Sequence, residues 1–206
     1  MNVDLLLVLH AIFGFITLAS GALVMFITKG DVRHKVLGYT FVISVIVTAI
    51  CGSVIAIHNE YWFFIHIALA TLLQIVMGLR VLNNKKLVAD AIDKTILVAF
   101  TANALVMLVS DHSVTLALGV LYSVIVAYQV YLFSGLRTVT SRMWLSQHIS
   151  HMIGAFISMV TAFIVGNIGE AASNGFWWVL PAIMAFPVIR YFKLKYAPDR
   201  KILGVF

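Results

Sequence analysis

Seven histidines are the side chains of this 206-residue sequence best placed to do chemistry. Four of them, His10, His66, His148 and His151, fall inside long apolar runs, and His34, His58 and His112 flank the ends of such runs. An imidazole can ligate a metal or haem iron, move a proton, or hydrogen-bond a neighbouring helix, and within hydrocarbon it needs one of these partners. No Asp, Glu, Lys or Arg lies deep in any run, which argues against carboxylate-driven proton coupling. The seventh run also lacks the mid-span lysine that a retinal Schiff base requires.

The spacing of small residues around these histidines suggests packed faces. His10, Gly14, Thr17 and Gly21 form one helical stripe, and Gln147, His151, Gly154, Ser158 and Thr161 form another with His148 and Ala155 beside it. Three chemistries fit. Bis-histidine haem b needs one imidazole from each of two helices at matched depth, which His10 with His66, and His34 with His148 or His151, would provide. Two such centres would make a transmembrane electron path. A zinc or other transition-metal site would use His34, His148 and His151 with a fourth position open to water, as in a membrane hydrolase. A transport path for a small solute or metal ion would start from the outer His58, Glu60, Asp111 and His112 and pass the mid-span amides Gln74 and Asn103. Against all three stands a non-catalytic membrane subunit without cofactor, whose histidines and amides only hydrogen-bond helices together.

The elements that must position these residues are seven apolar runs: 5–28, 36–57, 62–82, 95–110, 114–136, 144–165 and 176–192. At about 1.5 Å per residue most of them cross a hydrocarbon core of about 30 Å. The fourth and seventh are short. With 62% hydrophobic and 11% charged residues, the composition lies far from that of soluble domains and predicts an all-α, polytopic membrane bundle forming a single domain. All 14 lysines and arginines sit in or beside alternate connections: Lys29, Arg33 and Lys35; Arg80, Lys85, Lys86 and Lys94; Arg137 and Arg142; Arg190, Lys193, Lys195, Arg200 and Lys201. That asymmetry predicts an outside N-terminus and a cytoplasmic C-terminus. It gives the formal net charge of +6 a membrane meaning, as attraction to anionic lipid headgroups at the cytoplasmic face, and argues against nucleic acid. The topology sets His10 and His66 at one depth near the outer face, and His34, His148 and His151 at another near the inner face.

Interfacial aromatics agree with these borders, with Trp62, Trp177 and Trp178 at the outer face and Trp144 at the inner one. The inner connection 85–94 alternates charged and apolar residues, which suits either a short surface helix or a solvated loop. The single cysteine, Cys51, lies mid-run and permits no disulfide within the chain. The opening residues lack the basic stretch of a signal peptide and read as a retained helix.

The segment from His10 to Gly14 followed by Gly21, then Lys29-Gly30 with His34-Lys35-Val36-Leu37-Gly38-Tyr39, resembles the opening of a bacterial family of predicted multi-pass membrane proteins of unknown function. His148-Ile-Ser-His151-Met-Ile-Gly154-Ala155, leading to Thr161-Ala162-Phe163, is similar to that family's later motif. The resemblance spans most of the chain. It implies a bacterial inner-membrane protein, draws attention to His10, His34, His148 and His151, and supplies no activity; His66 is not part of it.

Overall fold

Each backbone N–H in a bilayer must find its acceptor within its own segment, so an apolar run of this kind becomes a helix. The computed structural model describes residues 3–136, 139–168 and 175–198, and among them all seven runs are helical. They are α1 (Val3–Phe26), α2 (Val32–His58), α3 (Trp62–Asn83), α4 (Ala91–Leu108), α5 (Ser113–Phe133), α6 (Met143–Asn167) and α7 (Phe176–Tyr196). The first six are long and apolar enough to cross a membrane. The seventh runs through Pro181 and Pro187 and carries Lys193 and Lys195 in its last turn. The architecture is an all-helical apolar bundle suited to a multi-pass membrane protein.

Two helices begin earlier than their apolar runs because polar caps, not hydropathy, start them. Asp31 accepts from the His34 backbone N–H at 2.7 Å and starts α2 at Val32, which brings His34 into the first turn. Asp90 and Asp93 form a reciprocal capping box that starts α4 at Ala91. The lengthened α4, of 18 residues, measures about 27 Å as a helix, which removes most of the shortfall expected of the run 95–110. The connection ahead of it forms a largely exposed loop and not a surface helix. Residues 85–90 are irregular, and Leu87, at φ +52°, turns its side chain into a small core with Val81, Leu132 and Met143.

Arg80, near the end of α3, ties this connection down. Its Nε donates to Asp93 at 2.5 Å and its Nη2 to Asp90 at 2.6 Å. The Asp93 backbone N–H and the Arg80 guanidinium hold the Asp90 carboxyl below the usual carboxylate range.

The central helices are α3, which packs on α2, α4 and α6, and α6, which packs on α3, α7 and α1. They approach closely at Gly78, where a Cβ would come within 2.9 Å of Met152 Sδ and 3.1 Å of His151 Cβ. The main core joins Ala70, Phe100, Met107, Tyr122 and Trp178 across α3, α4, α5 and α7. Trp178 therefore departs from the expected interfacial belt. It is buried, its ring 4.5 Å from that of Phe63 in a T-shaped contact, whereas Trp62 stays 61% exposed. At 7% exposure, Trp178 holds α7 to α3 and does not face headgroups.

Candidate functional site at the basic end of the bundle

The connections that hold the cations meet at one end of the bundle. Lys29 Nζ lies 5.1 Å over the Phe192 ring, Lys85 Nζ lies 5.0 Å over the Trp144 ring, and Arg142 Nη1 donates to the Tyr196 carbonyl at 3.1 Å. Lys29 also donates to the Val24 and Met25 carbonyls at 2.6 and 2.9 Å, closing the open end of α1. Burial, and then the charge of Lys195, push the Lys29 ammonium below the ordinary lysine range.

Beneath this basic rim lies a cavity of about 500 Å³, lined from α1, α2, α3, α6 and α7. His34 enters it from α2 and His148 from α6. The walls are apolar and aromatic, with Phe41 and Phe156 meeting edge to face at a centroid distance of 6.2 Å. Gly38, one turn after His34, leaves open space: a Cβ there would meet nothing within 4 Å.

The two imidazoles are in different states. His148 Nδ1 donates to the Gly78 carbonyl at 2.8 Å, because a carbonyl can only accept, so Nε2 carries the ring's free lone pair. A histidine held this way through Nδ1 has the orientation and tautomer of a metal ligand. His34 Nδ1 is buried and has no hydrogen-bond partner among the described residues. A buried nitrogen without a partner is costly, and the cavity is where it can find one.

His151 does not join them. Three residues along α6 at about 100° each turn it about 60° away from His148, enough to place it in the lining of a different cavity. There it is 3% exposed and its Nε2 accepts from Gln129 Nε2 at 3.0 Å. That contact occupies the lone pair a metal would use. The expected set of His34, His148 and His151 is therefore not assembled, and among the described residues no three His, Cys, Asp or Glu side chains converge as a metal cluster.

The outer pair is likewise separated. His10 Nδ1 donates to the Thr48 carbonyl at 3.0 Å, at the α1–α2 contact, with its ring against Gly52. His66 Nδ1 lies 2.8 Å from Asn103 Oδ1, and Asn103 Nδ2 donates to the His66 carbonyl at 3.2 Å, which ties α3 to α4. Of the outer loop histidines, His112 caps the start of α5 and His58 is exposed. Comparison of the chain with family models, curated proteins and solved structures finds no match. The site must be read from its geometry.

Replacing His66 by Ala tests the packing role of the outer histidines. It removes the ring partner of the buried Asn103 Oδ1 and leaves only the bond from Asn103 Nδ2 to the backbone carbonyl of residue 66, at a cost of about 1 kcal/mol. The expected result is a lower thermal midpoint in detergent with no change in any visible absorption.

Gln129 was not singled out by the sequence reading, although it is as polar as Gln74 and Asn103 and lies in the same kind of run. Its mid-span position was the available signal. The Gly78 carbonyl, which sets the His148 tautomer, leaves no trace in side-chain type.

Proposed function

We propose that this chain is a membrane redox protein that holds one haem b in the basic-end cavity, between His34 of α2 and His148 of α6. The observation that carries the reading is the unpartnered, buried His34 Nδ1 in a cavity shared with a His148 whose Nδ1 is already held by Gly78. The volume of about 500 Å³ falls in the range of cofactor pockets. The aromatic walls suit a flat apolar macrocycle, and Gly38 leaves room for its edge. Lys29 and Lys35 at the rim suit its two carboxylates. When bound, haem supplies one-electron storage and transfer. The residues of the chain orient it, exclude water from it and set its charge balance. The resemblance to a bacterial family draws attention to the same His34 and His148.

The reading includes seven spans, with the basic end cytoplasmic and in a bacterial inner membrane, because short loops rich in Lys and Arg are retained on that side. A cysteine placed at Lys86 in a Cys51→Ala background should resist impermeant thiol reagents in intact cells, and one placed at Asp111 should react. The opposite pattern overturns the orientation. For the cofactor, protein produced with ample haem should carry about one haem b per chain with a Soret band. Colourless protein would sink the haem reading.

A further inference from the structure

A second cavity, of about 350 Å³, lies on the other side of α6, among α3, α5, α6 and α7. Its inner end is polar. Gln129 Nε2 donates both to Gln147 Oε1 at 2.9 Å and to His151 Nε2 at 3.0 Å, which uses both of its N–H bonds. Gln147 Nε2 also lines this cavity from a side chain 1% exposed, and it has no partner among the described residues. Two amide N–H bonds buried without an acceptor call for one.

The rest of the cavity is mostly apolar, with Ser158, Thr161 and Lys193 also in its lining, and it opens sideways. Val124 of α5 and Phe186 of α7 both line it, and both are more than 60% exposed on the outer surface of the bundle. The entrance therefore faces lipid. An occupant must be soluble in the membrane and must offer a hydrogen-bond acceptor to Gln147. A hydrocarbon chain fails the second condition; an anionic phospholipid meets both and would pair with Lys193, but it offers no flat ring to the aromatic lining.

We infer that this cavity binds the head of an isoprenoid quinone, a ring carbonyl accepting from Gln147 Nε2 and the tail leaving between α5 and α7. A quinone meets both conditions, and the buried Tyr122 supplies an aromatic wall for a flat ring. The inference goes beyond the haem reading and does not rest on it, since the two cavities share no lining residue.

The test uses purified full-length protein in phosphatidylcholine nanodiscs, titrated separately with decylubiquinone and menaquinone-2. Trp178 lines the cavity, so its fluorescence reports occupancy. The expected result is saturable quenching by at least one quinone, at about one molecule per chain, above the linear background from quinone dissolved in lipid. Gln147→Leu should weaken binding about tenfold, the scale of one hydrogen bond, and Ala182→Phe should abolish it by filling the cavity. His34→Ala, which touches only the other cavity, should leave quinone affinity unchanged even if it removes haem. No saturation by either quinone in the wild type, or an affinity unmoved by either Gln147→Leu or Ala182→Phe, overturns the assignment.

Discussion

Replacing His148 by Ala should lower haem affinity by at least about a hundredfold, since loss of an outer-shell partner alone costs 10–100-fold at a metal site and this change removes a ligand. The protein should still insert, because an apolar side chain replaces a polar one within a membrane helix. The substitution leaves a ring-sized space beside the Gly78 carbonyl. Added imidazole should enter it, donate to that carbonyl and restore the Soret band. A purely structural role for His148 predicts lost stability without rescue. His34→Ala should also lose the band, whereas His151→Ala should keep it, since His151 faces the other cavity. Loss in His151→Ala with retention in His34→Ala would reverse the assignment of ligands.

The second large effect concerns the α3–α4 connection. Removing the Arg80 side chain leaves the 6% exposed Asp93 buried without its cation. Breaking a buried pair costs about 3 to 5 kcal/mol. This pair costs less, because the Arg80 side chain is 23% exposed and Asn84 Nδ2 at 3.0 Å and the Asp90 backbone N–H at 3.3 Å still bond Asp93. Arg80→Ala should therefore unfold at markedly lower temperature. Arg80→Met with Asp93→Asn should lose much less, since no buried charge is left unpaired. Equal losses in the two proteins would show that the ion pair is not the source of the stability.

The helices were legible in the sequence because the bilayer leaves an apolar run few other conformations. Their starts were less so. Asp31 and Asp90 extend α2 and α4 into polar sequence where hydropathy gives no signal. The height of each histidine along its helix was also legible, since it follows from helical rise. Height does not fix direction around the helix. His148 and His151 therefore read as one site, although the α3 carbonyl of Gly78 and the α5 amide of Gln129 hold them in different helix contacts. For the same reason His10 and His66 look paired in sequence, although each is bonded within a different helix contact. Trp178 shows the same limit for aromatics. Its distance from the helix end suits an interface, but the direction in which it points places it in the core.

His34 and His148 are proposed to ligate one haem iron together. Low-temperature electron paramagnetic resonance of the oxidised wild-type protein tests it most directly, because two imidazole ligands give a six-coordinate, low-spin ferric centre. The expected result is a single low-spin ferric signal at about one spin per chain. A high-spin ferric signal, or no haem signal from protein made with ample haem, would contradict it.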